Sequence, residues 1–163
     1  MSNQIDQVAR IAELDSELRK SIVPLFVEAG KKLRCPIASD TVLFGSFEGG
    51  ALGHTVVESF DKLTVGDLAQ GVDLGIVYAD LPRDYLDERY SIPTGFYRMH
   101  IKETSASLLD VNGDQVASDL PLAIGPGEPD VFARRELDIL VQKKKFKFSY
   151  HGPRLSIEVT IGK

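Results

Sequence analysis

His54, His100 and His151 are the only imidazoles in the chain, and imidazole is both the commonest metal ligand and the readiest acid–base group near neutral pH. A zinc site made from them would show ligands at short offsets, such as H-x-x-x-H or a cysteine pair. The three lie far apart, and none has a second ligand at such an offset. Only a fold that gathers distant strands could unite them. Asp110-x-Asn112-x-Asp114 resembles the start of a calcium loop, but that loop needs glycine at its sixth position and glutamate at its twelfth. Here glycine falls fourth, and the twelfth residue is Pro121. The hairpin dipeptide Asn112-Gly113 accounts for the same residues without an ion.

Nucleophilic chemistry needs a base beside a hydroxyl or thiol. Cys35 follows Arg34, and a neighbouring arginine can lower a thiol's pKa. Ser46, Glu48 and His54 lie close in sequence, and hydrolysis would follow if His54 folded back onto Ser46. No G-x-S-x-G or cysteine-protease signature surrounds either, and triads are defined by geometry, not by sequence proximity. The glycines from Glu48 to His54 read as a loop. A phosphate-cradling loop, however, requires a following helix N-terminus and a GK[ST] that this stretch lacks.

Basic residues make a different case. Phe96, Arg98, His100 and Lys102 alternate with Tyr97, Met99 and Ile101. If this stretch is a strand, the first four share one face and the last three point to the core. Lys143, Lys144, Lys145 and Lys147 form a second basic group. Beside the first it would make a patch for an anionic small ligand or an acidic protein. Alone, such lysines keep an exposed strand edge from pairing with other chains. Lys31, Lys32 and Arg34 suit the negative end of a helix dipole, a role that needs no ligand.

These side chains must be held by regular elements. Ile5 to Leu33 carries helical periodicity. Pro24 would cost on the order of 3 kcal/mol inside a helix. The economical expectation is therefore two helices, about 4–19 and 22–30, with Ser21 as cap, Pro24 in the first turn of the second and Gly30 at its end. A single helix kinked at Pro24 is the alternative. An amphipathic stripe of this kind buries itself on the protein's own sheet or on a second copy. Strands are expected at 41–47, 55–60, 73–79, 96–103, 106–111, 114–118, 131–141, 145–150 and 155–161. Thr64 and Asp67 resemble a capping box opening a single helical turn that ends at Gly71, and Pro82 suits the start of a short helix at 82–89. A type I′ turn at Asn112-Gly113 would set Leu109 opposite Val116 and Leu108 opposite Ala117. Residues 119–130 hold three prolines and two glycines. They read as a long loop, a common setting for a lid or binding segment.

The totals agree with one soluble globular domain over 1–163, a helical segment 1–34 followed by a β-rich body 41–163. The chain is 43% hydrophobic and 26% charged, close to globular averages. A net charge of −5 speaks against nucleic acid and anionic membranes as partners. The first residues lack the apolar stretch of a leader, and no run is long enough to span a bilayer. The single Cys35 gives no sign of an oxidising compartment, so the cytoplasm is the expected location. The fold class is α+β, with N-terminal helices packed on a mostly antiparallel β-sandwich or partly open β-barrel of about eight strands.

For function, the expectation is a non-catalytic binding or interaction domain that uses the Phe96/Arg98/His100/Lys102 face, with no cofactor and no metal. It could assemble as a homodimer through its N-terminal helices. The alternative is a small β-barrel enzyme or small-molecule carrier with a polar pocket around His100, covered by residues 119–130.

Overall fold

A computed structural model describes residues 16–39, 42–47, 49–82, 92–127, 134–140 and 145–162. The chain is α+β, and all its strands pair antiparallel. Helix α1 (Ser16–Leu33) is followed by strands β1 (Leu43–Phe47) and β2 (Gly50–His54), a 3-10 turn (Phe60–Lys62) and helix α2 (Val65–Gln70). Then come β3 (Val72–Asp80), β4 (Gly95–Lys102), β5 (Ser105–Leu109), β6 (Gln115–Leu120), β7 (Leu122–Pro126), β8 (Arg134–Leu140), β9 (Lys145–His151) and β10 (Leu155–Gly162). The first six strands form a six-stranded sheet in sequence order, and the rest form a four-stranded sheet ordered β7-β10-β9-β8.

Among the described residues Pro24 does not divide the helix. α1 runs through it as one element, because Phe26, Ala29 and Leu33 are buried along a single stripe, and that packing outweighs the local cost of proline. Of the expected first helix, about 4–19, only residues 16–19 are described, and they belong to α1. Nor does Gly30 end the helix. Arg34 takes the left-handed conformation at φ 56°, with bonds from Cys35 N to Gly30 O (2.9 Å) and from Arg34 N to Lys31 O (3.3 Å). This is the Schellman pattern. Gly30 serves the return of the chain, since a Cβ there would stand 3.0 Å from the Cys35 carbonyl oxygen.

The glycine-rich 50–54 stretch is strand β2, not a loop. Gly53 lies under Phe26 of α1, and a Cβ there would stand 2.9 Å from the Phe26 ring and 3.0 Å from the Phe44 ring. The expected strand 55–60 is instead an irregular crossing. Thr55 N bonds Ile76 O and Val57 N bonds Leu74 O. The Thr55 carbonyl passes so close over Gly75 that a Cβ would sit 1.8 Å from it. In both places glycine marks a close approach of two backbones or rings.

Residues 122–126 are also a strand, not a loop. β7 is the edge of the four-stranded sheet, where a proline needs no ladder hydrogen bond. Asp119, at φ 54°, sits within β6 where the β5–β6 register shifts between the Leu108–Ala117 and Ala106–Leu120 pairs. The β5–β6 hairpin differs from a type I′ turn. Of Val111, Asn112 and Gly113 only Gly113 has positive φ. Gly113 N bonds Asp110 O at 3.0 Å. Leu108 pairs with Ala117 as expected, whereas Leu109 pairs with Gln115 across a bulge. The Asp110 carboxylate explains the longer turn: its Oδ1 accepts from the backbone N–H groups of Asn112 (2.9 Å) and Asp114 (3.0 Å).

Alternation holds where it was strongest. Tyr97, Met99 and Ile101 are buried, as are Phe146, Phe148, Tyr150, Leu155, Ile157, Val159 and Ile161. Rings from the two sheets meet, with His54 edge-on to Phe148 and to Tyr150 at 5.1 Å in each case. The capping box is formed as expected: Thr64 Oγ1 accepts from Asp67 N (3.3 Å) and Asp67 Oδ2 from Thr64 N (2.9 Å). α2 then ends at Gly71, φ 105°. The expected helix at 82–89 lies almost wholly outside the described residues.

Candidate functional site

The four residues of the β4 outer face do not form one continuous patch. Phe96 packs edge-on against Phe26 of α1 at 5.1 Å and tilts against Tyr78 at 5.0 Å, so it belongs to the seat of the helix. Arg98 and His100 converge instead on Asp73 of β3. Arg98 Nη1 lies 3.3 Å from Asp73 Oδ2, and His100 Nδ1 lies 2.8 Å from Oδ1. These three side chains are between 22% and 31% exposed. Lys102 is exposed, its stem beside Gly71.

Asp73, His100 and Ser107 stand in register across β3, β4 and β5, the three residue types of a hydrolytic triad. The geometry does not complete one. A Cβ at Gly71, just before β3, would stand 3.2 Å from His100 Nε2, so the ring leans towards β3 with both its nitrogens. Ser107 lies on the other side, on β5, where its Oγ accepts from Gln115 Nε2 at 3.5 Å. A serine nucleophile needs its hydroxyl on that free ring nitrogen.

The other candidates fare no better as catalysts. Burial pushes the Cys35 thiol up to about 12, Asp73 adds to the rise and Arg98 opposes it. A thiol held neutral in this way is a poor nucleophile. The effect expected from the adjacent Arg34 is overridden because Cys35 is fully buried. Tyr150 is also fully buried, and its hydroxyl is raised by burial first and by Cys35 second. His54 pairs in register through Val77 to Tyr97 and faces the core. His100 faces outward on the same sheet, so a common metal is out of their reach. Among the described residues no three His, Cys, Asp or Glu side chains are grouped to hold a metal ion. Glu48 lies outside the described residues, and His54 does not fold back onto Ser46: it pairs with Leu43 while Ser46 pairs with Ala51.

Lys147 is set on the four-stranded sheet, 3.9 Å from Glu158. It alternates with core-facing Phe146 and Phe148, as Arg98 does with Tyr97 and Met99. Lys147 and Arg98 therefore occupy opposite outer surfaces and do not share a patch. Lys143 and Lys144 lie outside the described residues.

A different basic set does come together. Lys32 and Arg34, at the end of α1, and Arg98, on β4, line one cleft of about 470 Å³ closed on its far side by the Asp110–Gly113 turn. Arg98 Nε is buried and has no hydrogen-bond partner among the described residues. Among the described residues Asp110 is the one carboxylate lining the cleft, its Oδ1 is occupied by backbone N–H groups, and Arg98 is paired behind the cleft with Asp73. By sequence alone Lys32 and Arg34 read as a helix-end complement and Arg98 as one residue of a sheet face. Nothing in the sequence signals that the left-handed turn at Arg34 brings them together.

No protein-family model, no curated protein and no solved structure matches this chain. Among the described residues no helix is long and apolar enough to cross a membrane.

Proposed function

We propose that the chain is a non-catalytic binding domain, a two-sheet sandwich that receives an anionic group on its outside, in the cleft between the end of α1 and the β5–β6 turn. The observation that carries this reading is the convergence of Lys32, Arg34 and Arg98 from two elements on one cleft. Guanidinium groups hold carboxylates and phosphates through paired N–H donors, and Arg34 and Arg98 bring two of them to the cleft, Arg98 held in place through its Nη1 contact with Asp73. On a chain of net charge −5, a local excess of cations also steers an acidic partner to one place.

The reading is tested by titrating hexaglutamate into isotope-labelled protein and following backbone amide shifts. The expected result is saturable shifts at Lys32, Arg34, Arg98 and Asp110–Gly113, weakened by added salt and removed by Arg34→Glu. Shifts elsewhere, or shifts that survive the reversal, would end it. The Asp73–His100 contact favours the other reading, an enzyme or carrier with its pocket at His100. Against that reading stand the neutral, fully buried Cys35 thiol and the Ser107 hydroxyl, whose partner is Gln115.

A further inference from the structure

An apolar groove continues the basic cleft. Leu25, Ala29 and Leu33 of α1 form one wall, and Phe96 and Val111 the other, enclosing about 260 Å³. Lys32, Leu33 and Val111 line both hollows, so groove and cleft are one channel along the last part of α1. Leu25 is 57% exposed and Val111 63%. They are two of only four large apolar side chains so exposed among the described residues, and exposed apolar surface gathered in one place marks an interaction site. Charge is graded along the same line. Glu28 stands on the groove lip, while Lys32, Arg34 and Arg98 follow at the other end.

Resting on the anion-binding reading above, we infer that this channel docks a short acidic–apolar segment of a partner polypeptide, apolar side chains over Leu25 and Val111 and carboxylates over Arg34 and Arg98. From Leu25 to Leu33 the helix rises about 12 Å, the length of about four extended residues or two helical turns. The hollow is open to solvent along that length. Small-molecule sites bury most of their ligand, whereas a groove beside a helix accepts peptide side chains at regular spacing. Complementarity fixes the direction: the acidic end lies towards Arg34, the neutral or basic end towards Glu28.

The test uses the full chain and three fluorescein-labelled decapeptides read by fluorescence polarisation. The first carries two leucines four residues apart followed by three glutamates. The second replaces the leucines with serine, and the third replaces the glutamates with glutamine. The first is expected to bind at least tenfold more tightly than either control. Leu25→Asp, at an exposed position outside the basic cleft, should reduce it to the level of the serine peptide and leave hexaglutamate binding unchanged, whereas Val111→Asp, in the lining of both hollows, should weaken both ligands. If the first peptide binds no better than the serine peptide while hexaglutamate still binds at Arg34, the anion site stands and the apolar docking is wrong. If neither hexaglutamate nor any decapeptide binds, both readings fall together. Peptide binding untouched by Leu25→Asp and Val111→Asp places the site elsewhere and overturns the inference. So does a concentration-dependent dimer abolished by Leu25→Asp, since a second copy would then occupy the groove.

Discussion

On the inner face of β4, Tyr97, Met99 and Ile101 are at most 5% exposed and belong to one continuous core with residues of the second sheet. On the outer face, Phe96 meets a helix, Arg98 and His100 share Asp73, and Lys102 faces solvent beside Gly71. Both faces come from the same alternating run of residues. The inner one needs only apolar volume, which any closely packed neighbour satisfies. The outer one is divided by what is laid on it, and α1 covers only the aromatic end. Stability should therefore concentrate on the inner face, while the outer face is free to carry specificity.

The largest expected effect tests the inner half of that contrast. Met99→Ala empties a fully buried site and should cost about 2–5 kcal/mol, as lost burial and a residual cavity add together. The measurement is the urea midpoint at an unchanged m-value. A loss below about 1 kcal/mol would mean that the core collapses around the gap, and the contrast between the faces would weaken.

How much of this could be read beforehand follows from the same contrast. Strict alternation at Tyr97–Ile101, Phe146–Tyr150 and Leu155–Ile161 named core residues correctly, because a period of two has one buried solution on a one-sided sheet. The Thr64–Asp67 box was legible because capping is a contact over three residues. What escaped depends on long-range contacts. Gly53 reads as loop punctuation and Gly75 as an ordinary position of the 73–79 strand, yet they are glycine because Phe26 and the Thr55 carbonyl need the space a Cβ would take. The proline-containing edge strand β7 forms only because β10 offers it a partner. The Lys32–Arg34–Arg98 cleft depends on Arg34 adopting positive φ, which no local pattern announces in a non-glycine residue. The face chosen from sequence contained one member of that cleft, Arg98, and missed the other two.

Cys35 sharpens the comparison where the two environments touch. It is fully buried, feels Asp73 and Arg98 from the outer cluster, and acts in turn on core Tyr150. Its folded-state pKa, about 12, lies above the unfolded thiol value of about 8.5. The native state thus keeps a proton that the unfolded chain releases. The neutral thiol's contribution is fully present below the unfolded value and is lost as pH rises towards the folded one. The unfolding free energy of the natural chain minus that of Cys35→Ala should therefore fall from pH 9 to pH 11, with a limiting slope of about 1.4 kcal/mol per pH unit. Subtracting the variant removes the alkaline titration of Tyr150 and the lysines, which both chains share to first order. A flat difference across that range would show that water reaches the thiol, and that the outer cluster is less sealed from the core than its burial indicates.

The smallest effect tests the outer half. Arg98→Ala and His100→Ala each remove one of the two partners of Asp73 and leave the other in place. The groups are partly solvated, and pairs of this kind contribute about 0–1 kcal/mol. Each variant should therefore cost less than about 1 kcal/mol in urea unfolding, whereas Arg98→Ala should still abolish hexaglutamate binding at the cleft. The double variant leaves Asp73 without either partner and should cost more than the sum of the two, since neighbours in one network are not additive. A single-variant loss of about 2 kcal/mol or more would place Arg98 or His100 among the residues that hold the fold together. The outer face would then differ from the inner one only in polarity, and its arginine would be explained without any ligand.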